Sequence, residues 1–173
     1  MRVFGVDPGL TRCGVGVLDV DNRRKATFVH VNVIRTEATL ELANRLGVLA
    51  EQLSIEIDQV KPDVIVIERV FSQLNVRTAM STAQASAVAM LAAHQRGLPV
   101  VMYTPTEVKA AVTGSGRADK KQITQMVARH LNLPELPKPA DAADALALAL
   151  CHGWRGVGQQ RIADQAIKYG IKI

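Results

Sequence analysis

Four consecutive β-branched residues, Val64-Ile65-Val66-Ile67, with Glu68 directly behind them, limit the folds open to this chain more than any other stretch of its sequence. A strand that does not alternate has no face to offer water, so it belongs inside a parallel sheet with both faces covered. Its carboxylate then emerges at the carboxyl end of a buried strand. The chain opens on a comparable pattern, Val3-Phe4-Gly5-Val6-Asp7-Pro8-Gly9, in which a strand ends on Asp7.

Gly14 to Val20 and about Ala26 to Ile34 read as two further strands, set apart by Pro8-Gly9-Leu10 and by the charged turn from Asp19 to Arg24. Connections this short point to an antiparallel meander. Leu42, Leu46, Leu49, Leu53 and Ile57 recur at helical spacing, which predicts a helix over Leu40 to Ile57 with Thr39 as N-cap and Lys61-Pro62-Asp63 as its end. The small-residue segment from Asn75 to Gln95 predicts a helix with more apolar circumference than one sheet face requires, which suits either contact with a second subunit or an ordinary core helix. Leu98 to Tyr103 follows as a short strand, then helical segments at Thr106 to Val112, Lys120 to Leu131 and, past the proline-rich 134–139, Ala140 to Cys151. The expected fold is α/β, a mixed five-stranded sheet flanked by helices on both faces. It occupies one domain over residues 1–151, with 152–173 as a loosely attached C-terminal tail.

Asp141 and Asp144 are three apart, on one face of the last of these helices. With Asp7 and Glu68 they make four acids in apolar surroundings, where an uncompensated charge costs several kcal/mol. A divalent metal is the simplest collector. An oxygen-only set suits a hard cation, Mg²⁺ in particular, held by few carboxylates together with water and substrate phosphate oxygens. Two such ions about 4 Å apart would activate water on one side of a phosphodiester and stabilise the leaving oxygen on the other. Taken singly, Asp7-Pro8-Gly9 is also a plain turn and Asp141 a plain N-cap. His30, His94, His130 and His152 have no ligand spacing and read as surface or helix-end residues.

Lys and Arg number 21 against 16 Asp and Glu, a formal net charge of +5, and withdrawing four acids into a site makes the outer surface more basic still. That balance accommodates a polyanionic partner. The segment Gly114-Ser115-Gly116-Arg117-Ala118-Asp119-Lys120 lacks the phosphate-loop spacing of nucleotide-binding proteins. Its Arg117 and Lys120, with Lys121 and Lys109, form either a nucleic-acid backbone contact or a merely solvated basic loop. Cys13 and Cys151 follow no paired spacing and read as free thiols of a reducing compartment. No apolar run approaches the roughly 20 residues that cross a bilayer, and Met1-Arg2-Val3 leads directly into a strand, so the expected location is the cytoplasm, without membrane contact.

In order along the chain, Gly5-Val6-Asp7-Pro8-Gly9 with Gly14, Ile67-Glu68-Arg69-Val70-Phe71, Gly114 to Lys120, and Asp141-Ala142-Ala143-Asp144-Ala145-Leu146-Ala147 closely resemble the RuvC family of bacterial Holliday junction resolvases. The resemblance spans Met1 to about Cys151. It implies a ribonuclease H-like fold, a homodimer, and Mg²⁺-dependent nicking of two opposed strands of four-way junction DNA that leaves 5′-phosphate and 3′-hydroxyl ends. Two Mg²⁺ per active site are implied, with Mn²⁺ as a substitute, and RuvA and RuvB as partners. Asp7, Glu68, Asp141 and Asp144 fall on the family's catalytic, metal-binding acids. Phe71 falls on an aromatic that stacks on junction bases, and Lys109 and Lys120 on basic positions near the scissile phosphate. One segment departs: Ala83-Gln84-Ala85-Ser86-Ala87 stands where many relatives carry Gly-Gln-Ala-Arg-Gly, so an arginine is missing. Three rival readings are a sugar-kinase-like phosphotransferase, which would need a second phosphate loop, a junction-binding protein that would not need the acids, and a nuclease of RNA in hybrids.

Overall fold

In the computed structural model the chain is described over residues 1–69 and 76–168, and its side chains over all of these except 77 and 157–168. Strands β1 (Arg2–Asp7), β2 (Arg12–Val20) and β3 (Ala26–Arg35) form the expected antiparallel meander. β4 (Val64–Glu68) lies parallel to β1, and β5 (Val100–Tyr103) parallel to β4, which gives the order β3-β2-β1-β4-β5. The β-branched run is thus an inner strand, no residue from Val64 to Ile67 being more than 4% exposed. Alternation along the strands sorts two cores. Val3, Leu18, Val64 and Val66 pack under α3 (Pro105–Thr113), α4 (Lys120–His130) and α5 (Ala140–Lys168), while Phe4, Val6, Val17, Ile65 and Ile67 pack under α1 (Leu42–Val60) and α2 (Val76–His94).

Several element ends differ from the sequence expectation. α1 begins at Leu42 with Glu41 at the N-cap position and no side-chain cap, so Thr39 does not cap it. Lys61 ends that helix in the left-handed region, its N–H donating to the carbonyl of Ile57. α5 does not stop at Cys151. His152 and Gly153 are buried, the Tyr103 hydroxyl stands 3.0 Å from His152 Nδ1, and the Trp154 indole N–H donates to the Arg24 carbonyl at 3.1 Å. A glycine-containing stretch reads as a helix breaker by propensity. Here tertiary packing decides, because a Cβ on Gly153 would stand 2.6 Å from Val20 Cγ2.

Gly5, Gly14 and Gly16 do similar work for the whole of α5. Gly5 and Gly16 are cross-strand partners, and Gly14 pairs with Asp7. A Cβ at Gly5 would collide with the carbonyl oxygen of Ala145, one at Gly14 with that of Asp141, and one at Gly16 would meet the Leu146 nitrogen at 2.6 Å. The helix backbone therefore rests on the strand backbone, an approach open only to residues without a side chain. Gly14→Ala should cost about 1–3 kcal/mol or more in urea unfolding, as other overpacked sites do. By contrast, Gly47→Ala on α1, where nothing lies within 4 Å of an added Cβ, should stabilise by about 0.5–1 kcal/mol.

Candidate active site

Parallel pairing of β1 with β4 sets Val6 opposite Ile67, so the next residue on each strand, Asp7 and Glu68, end side by side. α5, lying on the glycines, brings Asp144 to the same place. Asp7, Glu68 and Asp144 line a cleft of about 270 Å³. Its other walls include Lys109 from α3 and Lys120 from α4, with Val108, Ile123 and Ala147 as apolar lining. Lys120 Nζ stands 3.4 Å from Asp144 Oδ2.

Both lysines are placed by local chemistry. α3 starts on a capping box in which the Thr104 hydroxyl accepts from the Glu107 N–H and Glu107 reaches back to the Thr104 backbone. Asp119 and Gln122 form the same reciprocal cap at the start of α4, immediately before Lys120. Gly114, at φ 79°, ends α3 and lets the chain turn from one helix toward the other.

Asp141 is not part of the cleft lining. Its Oδ2 is held 3.2 Å from Arg12 Nε at the start of β2. Arg12 belongs to no motif in the sequence. The signal that could have found it is its place two residues before Gly14, the strand partner of Asp7. Of the expected nucleic-acid contacts, Arg117 lines a separate groove with Ser115 and Gln122, and Lys121 is exposed on α4 outside both. Phe71 lies outside the described residues. Ser86, at the position of the missing arginine, is 2% exposed and faces the core, not solvent. Both cysteines are free and buried.

Like charges and burial dominate the electrostatics. Burial, and then the charges of Glu68, Asp144 and Asp141, push the Asp7 carboxyl up to about 8, against a smaller opposing effect of Lys120. Burial raises Glu68, with Asp144 adding to it and Lys120 and Lys109 opposing. Burial also raises Asp144, against the charge and hydrogen bond of Lys120. Lys120 is raised in turn, chiefly by Asp144. Among the described residues, no three His, Cys, Asp or Glu side chains are gathered tightly enough to hold a metal ion as they stand. The site is a repulsive set of acids with cations at its edge.

A carboxyl raised in this way keeps a proton in the folded chain that the unfolded chain has already released, so stability falls as pH rises. For Asp7 the window runs from about 4, its unfolded value, to about 8, with at most about 1.4 kcal/mol lost per pH unit. Without divalent ions the thermal midpoint should decline across that window. Asp7→Asn should flatten the decline and exceed the parent's stability above it; two parallel curves would contradict the assignment.

The family model for "Crossover junction endodeoxyribonuclease RuvC" matches residues 3–152. The protein of that name from Parafrankia sp. (strain EAN1pec) is 59% identical over 173 residues, covering 99% of this chain and 97% of the relative. The solved structure of T. thermophilus RuvC in complex with Holliday junction substrate superposes with a TM-score of 0.87 at 33% identity, covering 92% of this chain and 96% of the other. The yeast mitochondrial Holliday junction resolvase Ydc2 shares the fold at 14% identity, with a TM-score of 0.64 over 91% of this chain and 82% of that one. The chain, with its ribonuclease H-like fold, belongs to the RuvC family of crossover junction endodeoxyribonucleases.

Proposed function

We propose that Asp7, Glu68, Asp141 and Asp144 are the catalytic acids of this Holliday junction resolvase, and that Lys109 and Lys120 hold the phosphate to be cut. The observation that carries the reading is the convergence of Asp7, Glu68 and Asp144 with both lysines on one cleft. Three acids whose proton affinity is raised by burial and by neighbouring carboxylates fit a divalent cation, since an adjacent positive charge would restore the ionised form of each. Mg²⁺, with Mn²⁺ as a substitute, matches the all-oxygen donor set, and two ions per site match four acids. When bound, such ions supply a polarised phosphate and a water of lowered pKa.

The chain's own contribution is placement. β1 and β4 fix Asp7 and Glu68 on the sheet, and α5 fixes Asp141 and Asp144 over it. Lys120 shares its charge with Asp144 at 3.4 Å and would turn to a phosphate oxygen once substrate enters. Arg117 and Lys121 would meet the backbone farther out, and Phe71 would stack on a junction base. Hydrolysis would leave 5′-phosphate and 3′-hydroxyl ends. RuvA and RuvB are the partners this reading assigns, and the cytoplasm its location. Among the described residues no helix is long and apolar enough to cross a membrane.

Resolution needs two cuts related by the junction's twofold symmetry, hence two sites on one assembly. α2 supports a homodimer, since Val76, Met80, Ala83, Ala87 and Leu91 form an exposed apolar row at helical spacing, with Val76 at 74%, Met80 at 58% and Leu91 at 57% exposed.

Incubating a labelled synthetic four-way junction with the protein and Mg²⁺ should give paired, ligatable nicks absent from a linear duplex. Asp7→Asn or Glu68→Gln should lower the cleavage rate by about three orders of magnitude or more while junction binding persists. Binding with no metal-dependent nicks in the parent protein would reduce the chain to a junction-binding module. Met80→Glu combined with Leu91→Glu should convert dimer to monomer in sedimentation and uncouple the two nicks; an unchanged dimer would move the interface elsewhere.

A further inference from the structure

A second concentration of charge lies on the other side of the start of α5. Arg12 and Arg35 are direct cross-strand partners at the end of the β2–β3 pair, so both side chains leave the same face of the sheet. Like charges opposed in this way are destabilising. A third guanidinium closes in from α1, where Arg45 donates through Nε to Thr36 Oγ1 at 2.9 Å and through a terminal nitrogen to Thr11 Oγ1 at 2.7 Å. Nearby acids do not balance the group. Arg12 is bridged to Asp141, Glu37 lines the same groove, and Arg35 has no ion pair among the described residues.

Arg35 borders two grooves. One of about 500 Å³ is lined by Thr11, Arg12, Arg35, Thr36 and Glu37. The other, of about 230 Å³, runs past Asn32 and Arg35 to Lys138, Pro139 and Ala142. Lys138 also has no ion pair among the described residues. Ala142 borders this groove while Asp144 and Ala147 border the acidic cleft, so the beginning of α5 partitions the two. Cations thus stand on both sides of the acids, Lys109 and Lys120 on one and Arg12, Arg35 and Lys138 on the other. A cleft of carboxylates repels a polyanion, and flanking cations on two sides are what would hold one across it.

We propose that Arg35 and Lys138, continued by Arg12, form a phosphate track that carries the DNA backbone away from the cleft along the β3 side. The proposal rests on the resolvase reading. Guanidinium and ammonium groups would contact backbone phosphates without regard to sequence, Arg35 through its planar fork and Lys138 as a point charge. Arg12 has a double attachment, to the track and to Asp141, and so ties the position of the strand to that of a catalytic acid.

The test is fluorescence-anisotropy titration of a labelled four-way junction over a series of salt concentrations. The full chain carries Asp7→Asn so that cleavage does not intervene. Arg35→Gln and Lys138→Gln should each weaken binding about three- to tenfold near physiological salt and lower the slope of log affinity against log salt by about 0.7–0.9 for each phosphate left without its cation. Arg23→Gln, at an exposed site beyond the opposite end of the β2–β3 pair, should change neither and controls for basic charge in general. Both positions are solvent-facing, and unchanged circular-dichroism melting would confirm intact folding. If either variant matches Arg23→Gln, or weakens binding with no change in slope, the track is overturned. If the parent shows no salt-dependent junction binding, the resolvase reading fails instead.

Discussion

The site depends on backbone meeting backbone. α5 lies so close to β1 and β2 that a methyl group on Gly5, Gly14 or Gly16 would collide with it, and this contact sets where two of the four acids stand. A helix resting on main chain has little room to move, because no side chain between the two can change rotamer to absorb a shift. The alanines of α5, buried at Ala142, Ala143, Ala145, Ala147 and Ala149, keep the contact thin from the helix side as well. Asp141 and Asp144 are therefore held to the sheet that carries Asp7 and Glu68 with few flexible side chains in between.

Against that rigid frame the electrostatics are unfavourable by construction. Burial raises Asp7, Glu68 and Asp144, and neighbouring carboxylates add to it, Glu68, Asp144 and Asp141 at Asp7, Asp144 at Glu68, and Asp141 at Asp144. Lys120 relieves Asp144, and Arg12 takes Asp141. Raised carboxyls of this kind cost folding stability at neutral pH, and the rest of the domain supplies the difference through two continuous cores. The two cations also show why a fourth acid can stand aside from the cleft: Asp141 is turned toward a guanidinium at the sheet's neighbouring strand.

Much of this is legible in the sequence because local pattern and tertiary role agree. Val64 to Ile67 reads as an inner strand because it does not alternate, which sets Glu68 at a strand end, and Asp141 and Asp144 share a helix face by their spacing. The five-stranded sheet and the meander rest on short connections that leave few topologies. What sequence hides is set by contacts across the chain. The end of α5 is hidden because Gly153 looks like a breaker until Val20 is placed against it. Thr39 looks like a cap, yet the helix begins three residues later, without a side-chain cap. Arg12 and Arg35 become meaningful only once the register makes them opposite one another. Spacing along one element is readable from sequence; register between two is not.

The two sides of the cleft have different mechanical origins. The acids are located by long-range packing of a helix on a sheet, whereas Lys109 and Lys120 ride on two short helices, each opened by its own reciprocal cap and joined through Gly114. The basic wall therefore combines two local helix starts with core packing against α5. Because each of these helix starts is set within a few residues, substitutions at Thr104 or Asp119 would act on the basic wall first, while the strands that carry Asp7 and Glu68 stay held by their sheet partners.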